Sequence, residues 1–492
     1  MYKLSNKSAI SFFDFNQPAG MHMNPENRWI LLAESIPWDD LELMYADLFK
    51  SKTGNVAKPL RMALGALIIQ KKYGFSDREL VAQITENPYL QYFIGLPGYQ
   101  ETQPFDATTL VLFRKRLTSE VLAEINEYIL AYNRKDDADN NGRKPPASGG
   151  TSSAGNAGDD TDDTSESSEN SGTLILDATC APVYIRFPQD ISLLNEAREK
   201  LEKMIQFIHK NYGKPLPRTY KRTAHKSYLD YAKRRKHSKK QIRKAISKQL
   251  GYVRRDIRYL TEFIKEGCEL SRKQQFQFDT ICTLYEQQQY MFDNKTHSVP
   301  DRIVSIEQPW VRPIVRGKAK APTEFGVKFD LSLDTEGFGR IETISFDAYN
   351  EGNVLISAIE RFRERTGCYP ERVLADQIYR SRSNLNYCKA HHIRVSGPKL
   401  GRKPKTVKRS DRIREYRDNT DRIAVEREFS YGKRCCSLGT IMTRLQETEM
   451  GSVALSVLVS NLMKMLRRVL SALIYLYEIF ETNTAQLTPA WG

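Results

Sequence analysis

Cysteine is scarce in this chain and follows no metal-binding or disulfide pattern. The 492 residues contain seven cysteines, an odd number, and no two of them form a C-x-x-C pair. This distribution predicts neither a disulfide framework nor a zinc ribbon. The seven histidines also show no recognisable metal-ligand spacing. We therefore expect a protein of a reduced compartment, and the cytoplasm fits.

The sequence also lacks a long uninterrupted apolar run. Its first residues, MYKLSNKSAISFF, contain no apolar core followed by a small-residue cleavage site, so we expect no secretory signal. The most apolar stretch, at about 452–480, is interrupted by Lys464, Arg467 and Arg468. These charges favour a buried or oligomerising helix over a membrane span, and we expect no membrane partner.

The chain has fewer acidic than basic residues. The chain has 75 Lys and Arg against 60 Asp and Glu, a net charge of +15, and a pI near 9.3. This excess favours a polyanionic partner, although a ribosomal or membrane-surface protein would show the same balance. An aromatic strand motif of the RNP type is missing, which weighs against an RNA-binding protein.

Composition divides the chain into three parts. Residues 1–133 show apolar residues at spacings of three and four and predict a helical domain, either a helix-turn-helix DNA-binding unit or a plain helical bundle. Residues 134–172 are rich in Asp, Ser, Gly and Asn and predict a disordered acidic linker. Residues 173–492 mix strand and helix patterns and predict an α/β domain.

A strongly basic helical insertion is predicted within the third part, at about 190–298. Residues 224–260 contain thirteen Lys and Arg against two Asp, above an apolar stripe at helical spacing. The stripe consists of Ile242, Ile246, Val253, Ile257, Leu260 and Ile264. We expect the outer face to bind phosphates without base specificity. The candidate DNA contacts are Lys233, Arg234, Arg235, Lys236, Lys239, Lys240, Arg243 and Lys244.

Two short apolar runs end in an aspartate. GTLILDATCAP leads to Asp177 and ERVLADQIYRS leads to Asp376, and both runs predict buried strands. An acid at a strand end can simply cap a following helix. Three carboxylates from separate elements, by contrast, suit two divalent cations that activate water or a 3′-hydroxyl.

Period-two segments between residues 309 and 349 predict antiparallel strands of the same sheet.

The third carboxylate is predicted on a helix near the C-terminus. Arg422, Glu426 and Lys433 fall within about 40° of one another on a helix of 3.6 residues per turn. Taken alone, the row could be a solvated salt-bridge ladder. The other candidate acid, Glu428, would point about 160° away from Glu426 and would leave this row. We therefore assign Glu426.

With these residues the sequence resembles the bacterial insertion-sequence DDE transposases of the four/five group. Asp177, Asp376 and Glu426 look like the triad of that family, and the row matches its Y-x-x-R-x-x-x-E-x-x-x-x-x-x-K signature except that Asn419 replaces the Tyr. The segment ADQIYRSRSN resembles the motif around the second aspartate. The N-terminal part is similar to the helical DNA-binding region of the same group.

The resemblance implies an RNase H-like mixed-sheet core with a basic helical insertion, preceded by an all-α N-terminal domain. It implies that Asp177, Asp376 and Glu426 hold two Mg²⁺ or Mn²⁺ ions while Arg422 and Lys433 grip phosphates. The expected partners are double-stranded DNA, as terminal inverted repeats and target, and a second copy of the chain. The expected activity is metal-dependent DNA cleavage and strand transfer. A nuclease that cuts without joining and an inactive DNA-binding regulator remain alternatives.

A basic segment just before the glutamate helix, residues 397–418, is predicted to be a loop that holds DNA near the acids. It combines Gly and Pro with many cations. A flexible surface loop without DNA contact would have the same composition.

Overall fold

The chain is described by a computed structural model over residues 1–4, 10–50, 53–140, 170–315, 323–397, 401 and 408–486, with backbone alone at 135–140 and 476–486. Within these residues it is a mixed α/β protein, which confirms the predicted class. The predicted acidic linker falls mostly outside them, at residues 141–169. The predicted basic loop falls outside them at 398–400 and 402–407, and it is wrong for residues 409–418, which form the start of the helix Arg409–Cys435.

The N-terminal part is built from helices. They are α1 (Arg28–Glu34), α2 (Trp38–Ala46), α3 (Leu60–Tyr73), α4 (Asp77–Glu86), α5 (Pro88–Phe93), α6 (Thr109–Arg116) and α7 (Ser119–Asn140). Helix α3 is the central one, because its first ten residues are all buried. It ends at Gly74 in the left-handed conformation, and Ser76 then begins α4 by accepting a hydrogen bond from the Glu79 N–H. Helix α7 continues to Asn140 and so extends into the predicted linker.

A six-stranded mixed sheet forms the centre of the third part. Its strands are β1 (Thr173–Pro182), β2 (Arg312–Val315), β3 (Thr323–Leu333), β4 (Gly339–Ser345), β5 (Arg372–Ala375) and β6 (Arg394–Val395). The order is β2-β3-β1-β5-β6, and β4 also pairs with β3. Strand β1 runs antiparallel to β3 and parallel to β5. Gly326 permits the close approach of β3 to β1, since a Cβ there would lie 2.1 Å from the carbonyl oxygen of Ala181.

The two faces of this sheet carry different hydrophobic cores. Leu174 and Leu176 of β1 pack on α12 (Leu355–Thr366) in one core. Ile175 faces the opposite core, which contains Val425 of α14 (Arg409–Cys435). The alternation along β1 thereby decides which helix covers each side chain. Helix α13 (Arg382–Ala390) connects β5 to β6.

Four helices form the insertion between β1 and β2. They are α8 (Asp190–Tyr212), α9 (Lys221–Ala232), α10 (Lys239–Lys265) and α11 (Arg272–Asp293). They enclose their own hydrophobic core, in which Val253 and Leu260 are fully buried and Ile246, Ile257 and Ile264 are partly buried. The predicted stripe is therefore correct for these five residues. It is wrong for Ile242, which is exposed because it lies near the N-terminal end of α10, beyond the packed part of the insertion.

The last helix, α15 (Gln446–Gln486), joins the two parts of the molecule. Leu455, Leu458 and Leu462 share one core with the N-terminal helices, while Val453 and Val457 belong to a core of the sheet. A helix that is apolar on all sides is expected to be buried. Its buried Asn461 accepts from the Gly339 N–H and donates to the Gly339 carbonyl, both at 2.8 Å.

Across the part of the chain that the structure describes, no helix is both long and apolar enough to cross a membrane.

Candidate active site

The predicted aspartates Asp177 and Asp376 lie side by side. Strands β1 and β5 pair in parallel with Leu176 opposite Ala375, and an aspartate follows each of these two residues. Asp376 lies directly after the end of β5, as predicted, whereas Asp177 lies in the middle of β1 and not at a strand end. Neighbouring strands are about 4.8 Å apart. Both aspartates continue the alternation of Ile175 and Leu374, which places them on the sheet face that α14 covers.

The two carboxylates have different surroundings. Asp177 is half-buried and accepts a hydrogen bond from the Ala178 N–H at 2.8 Å. Asp376 is exposed, accepts from the Gln377 N–H at 2.7 Å and caps the short 3₁₀ turn Gln377–Tyr379. Asp376 therefore has the capping role that the sequence left open. This cap uses only one of its carboxylate oxygens, so the other can bind a ligand.

Negative charge accumulates around Asp177. Burial, together with the carboxylates of Asp376 and Glu351, raises the pKa of Asp177 to about 6, although the Ala178 N–H and Arg422 oppose the rise. A carboxylate surrounded by other carboxylates favours a bound proton or a cation.

Helix α14 lies along β1 and is fixed at two points. In its first half, Arg372 donates to Asp418 at 3.2 Å and to the hydroxyl of Thr173 at 2.8 Å. Near its C-terminal end, Lys433 Nζ lies 3.2 Å from the hydroxyl of Thr179. Fifteen helical residues span about 22 Å and six strand residues about 20 Å, so helix and strand run in the same direction at matching levels.

This register brings the predicted row toward the aspartates. Asp177 stands between the two anchoring points, opposite the part of α14 that carries Arg422 and Glu426. Arg422 acts electrostatically on Asp177, and its guanidinium lies 3.9 Å from Glu426. Glu426 is exposed, one turn after Arg422 and one turn before the packed Phe429.

Glu428, the alternative third acid, faces another part of the molecule. Lys464 of α15 forms an ion pair with it at 3.1 Å, and the Ser460 hydroxyl donates to it. Only 11% of its side chain is exposed. Glu428 therefore helps to hold α14 against α15, whereas Glu426 stays unburied on the side of the helix that carries Arg422.

The carboxylates of this site meet some of the requirements of a hard divalent cation. Carboxylate oxygens are the ligands that Mg²⁺ and Mn²⁺ prefer, and the crowding of acids at Asp177 is what a cation would offset. Yet among the described residues no three His, Cys, Asp or Glu side chains lie close enough together to hold a metal ion. The structure thus brings the two aspartates together and leaves Glu426 outside a closed ligand group.

Sequence reasoning missed a buried acid beside this site. Asp330 of β3 lies opposite Ala178, and the hydroxyls of Tyr379 and Tyr349 both donate to it, Tyr379 at 2.5 Å. Burial raises the pKa of Asp330 to about 6, with Glu351 contributing, despite the two donated hydrogen bonds. Tyr379 ends the turn that begins at Asp376, so Asp330 fixes that turn. Apolar and polar residues alternate strictly along β3, and Asp330 occupies a polar position. The sequence therefore predicts that Asp330 faces solvent and gives no sign of this role.

The predicted DNA-contacting cations lie on the insertion. Six of them are at the end of α9, in the following turn and at the first residues of α10, and Arg243 and Lys244 follow one turn later. All eight are exposed. Arg243 also packs on the ring of Phe292, 4.0 Å from its centroid, and donates to the Phe292 carbonyl.

Two family models match separate parts of the chain, and both describe transposases. Residues 373–463 match the model described as "Transposase DDE domain", and residues 19–116 match "Transposase domain (DUF772)". The first range includes Asp376, Arg422, Glu426 and Lys433. These matches confirm the resemblance to DDE transposases that the sequence motifs predicted.

One curated relative adds to this. The chain is 31% identical over 103 residues to "Uncharacterized protein ORF8 in nfe locus" of Rhizobium meliloti, covering 21% of this chain and 49% of that protein. The chain thus spans about half the length of the curated relative it matches. No solved structure matches the chain.

Proposed function

We propose that this protein is a DDE transposase that binds the terminal inverted repeats of its own element, cleaves the DNA and joins the exposed 3′-hydroxyl to target DNA. The observation that carries the proposal is the parallel pairing of β1 with β5, which sets Asp177 beside Asp376 on the face covered by α14. The two transposase family matches support the same reading.

The core that carries these residues is proposed to be RNase H-like. Along the path β4-β3-β1-β5-β6, the first three strands are antiparallel neighbours and the last two run parallel to β1. Helix α12 covers one face and α14 the other. This arrangement agrees with the fold that the family resemblance implies.

Asp177, Asp376 and Glu426 are the proposed catalytic acids. Two bound Mg²⁺ ions would supply activation of the attacking oxygen and stabilisation of the leaving oxygen. The two aspartates would provide the fixed ligands, because the sheet determines their spacing. Glu426 would complete the set from α14, whose register along β1 is held by Asp418 and Lys433.

Arg422 and Lys433 would position DNA rather than react. The positive charge of Arg422 acts on both Asp177 and Glu426. Its guanidinium can also offer two parallel N–H donors to a phosphate. Lys433 is held near Thr179 and would act as a point charge beyond the acids. The exposed cations of the insertion would hold the duplex through its phosphates.

Two copies of the chain are proposed to act together in the bacterial cytoplasm, since two element ends must be joined to one target. The N-terminal helices are proposed to recognise the terminal repeats. The match of residues 19–116 to a transposase domain supports a role of this part in transposition.

The test is a cleavage and joining assay with a labelled duplex that carries the end of the element, in Mg²⁺ and in EDTA. Asp177→Asn and Glu426→Gln should each lower cleavage about a thousandfold or more, because a bound metal ion contributes several kcal/mol to such reactions. DNA binding in EDTA should stay within about threefold of the unmodified protein, since both changes leave the basic surfaces intact.

Glu415→Gln is the matched control, because Glu415 is an exposed glutamate on the same helix, near the other end. It should leave cleavage unchanged. Cleavage without joined products would favour a nuclease. Binding without cleavage in any divalent cation would favour an inactive regulator. Full activity of Glu426→Gln would refute the assignment of the third acid.

A further inference from the structure

A polar pocket of about 500 Å³ opens on the insertion, apart from the proposed catalytic acids. Its walls come from the segment after β1, the start of α8, the end of α9 and the start of α10. None of the three proposed catalytic acids, Asp177, Asp376 and Glu426, lines this pocket. The proposed cleavage chemistry therefore assigns it no role.

The pocket carries an excess of arginine. Arg186, Arg234, Arg235 and Arg302 all line it, against a single carboxylate, Asp190. That carboxylate is already neutralised, because Arg302 pairs with it at 2.6 Å and Gln288 donates to it at 2.9 Å. Within the described ranges, Arg186, Arg234 and Arg235 form no ion pair with a carboxylate.

The inner wall of the pocket contains polar atoms that lack partners. His237 stacks on Tyr231 with ring centroids 3.9 Å apart, and its Nδ1 is buried without a hydrogen bond. Arg302 Nε is likewise buried and unpartnered. Because neither atom is exposed to solvent, the contacts to a ligand would come from the exposed guanidiniums of Arg186, Arg234 and Arg235.

From these observations we propose that the pocket binds a phosphomonoester, the terminal phosphate of a nucleotide. Arginine forms paired charge-assisted hydrogen bonds with phosphate oxygens, and three guanidiniums without a carboxylate partner suit the dianion of a monoester better than the single charge of an internal phosphodiester. Arg186 also donates to the Tyr228 hydroxyl at 3.5 Å. A recess also favours a chain end, whereas a continuous duplex lies on an open surface such as that formed by Lys239 and Lys240.

The assignment of this pocket rests on the proposed transposase function in one respect, which is that DNA supplies the phosphate. A nick leaves a 5′-phosphate on one side of the cut, and a pocket on the insertion could retain that end. The same chemistry would recognise the phosphate of a free nucleotide. The ligand class is therefore the phosphomonoester, and the experiment separates the two sources.

The experiment measures binding in EDTA, so that cleavage does not intervene. A fluorescent duplex with a 5′-phosphate is compared with the same duplex carrying a 5′-hydroxyl. We expect the 5′-phosphate to lower Kd about tenfold, which corresponds to about 1.4 kcal/mol. The double variant Arg186→Gln, Arg235→Gln should remove this preference, since both side chains are exposed at the rim and contribute charge directly.

The matched control is Lys240→Gln with Lys244→Gln. It removes two positive charges from the exposed surface of α10 outside the pocket. This variant should weaken both duplexes equally and keep the tenfold ratio. Inorganic phosphate and AMP then serve as competitors. Competition by AMP would identify a site that also accepts free nucleotides, while preference for the phosphorylated duplex without competition would tie the site to a DNA end.

Equal Kd values for the two duplexes, with no competition by AMP, would overturn the proposal. A tenfold preference that survives in the arginine variant would overturn the location. A cleavage assay on the same preparations separates the two proposals. Metal-dependent cleavage with neither a phosphate preference nor competition by AMP would refute the pocket and leave the transposase assignment intact.

Discussion

At the scale of single residues, Asp256 is the acid whose environment opposes its charge most. It is fully buried in the core of the insertion, and neither of its carboxylate oxygens has a hydrogen-bond partner. Burial, and secondarily the charge of Glu202, raises its pKa to about 8, although Arg255 and Arg198 act in the opposite direction. Asp256 is therefore a group whose titration should weaken the insertion as pH rises.

The sign of this effect follows from proton linkage. In the unfolded chain the pKa of Asp256 returns to about 4, so between pH 4 and pH 8 the folded protein binds more protons than the unfolded one. The free energy of unfolding should accordingly fall as pH rises through this window. Asp256→Asn should reduce this dependence, and Asp177 and Asp330, whose raised pKa values act in the same direction, contribute to the part that remains.

Thermal unfolding at pH 5.5 and pH 8 checks this prediction, with the exposed Asp230→Asn as control. The control should keep the loss of stability between the two pH values. A variant at Asp256 that loses as much stability with pH as the unmodified protein would show that this carboxylate is not the titrating group.

At the scale of elements, the placement of α14 on the sheet determines whether its functional row reaches the aspartates. Asp418 is the anchor in its first half. Burial opposes its charge, but Arg394 and Arg372 outweigh burial and hold its pKa below the ordinary value. The Arg394 guanidinium lies 2.9 Å from Asp418 Oδ1. An ion network on β5 and β6 thereby fixes a helix that belongs to the proposed active site.

Asp418→Ala should loosen the first half of α14 and leave Arg394 without its carboxylate, while Arg372 keeps its ion pair with Asp421 at 2.8 Å. We expect a loss of about 2–3 kcal/mol, less than for a fully buried pair because both arginines reach solvent. Backbone amides in residues 409–422 should exchange faster, and DNA cleavage should fall more than DNA binding. Hydrogen exchange and the cleavage assay measure these effects.

Asp411→Ala provides the comparison for that variant. Asp411 is exposed on the same helix and only approaches Arg414, at 4.0 Å. Its removal should change neither exchange nor cleavage. If Asp418→Ala exchanged no faster than this control, Asp418 would not be an anchor of α14.

At the scale of the whole molecule, the N-terminal helices and the sheet are joined by α15. Leu455, Leu458 and Leu462 are buried among the N-terminal helices, although they come from the far end of the chain. Asn461 adds a polar link, because it donates to Asn126 of α7 and also bonds Gly339 of β4. Motion of one part against the other would expose this shared core to water.

A chain cut between residues 140 and 170 should consequently stay together. A protease site placed near residue 155 would generate the two fragments, which we expect to co-elute in gel filtration and to unfold in one transition. Leu462→Ala should lower the stability of the association by about 2–5 kcal/mol, as expected for a fully buried leucine. Separate elution of the fragments from otherwise unmodified protein would contradict a shared core.

Local periodicity predicted much of what the structure contains. The α/β class and the apolar stripe of α10 from Ile246 onward followed from residue spacing, because helices and strands repeat at 3.6 and 2 residues. The strand end before Asp376 followed in the same way. The predicted strand end at Asp177 is wrong, because β1 stays paired with β3 as far as Pro182. The DDE motifs also pointed to the family that the two domain matches confirmed. The individual roles of the three acids stay predictions.

Sequence alone thus determined most of the helices and strands and proposed the catalytic acids, since both inferences depend on neighbours along the chain. Only the tertiary structure decided which strands pair and which acids become neighbours. The pairing of β1 with β5, the anchoring of α14 by Asp418 and the burial of Asp330 under Tyr379 each join residues far apart in sequence. Such contacts depend on how sheet and helices pack, and that packing leaves no periodic signal in the chain.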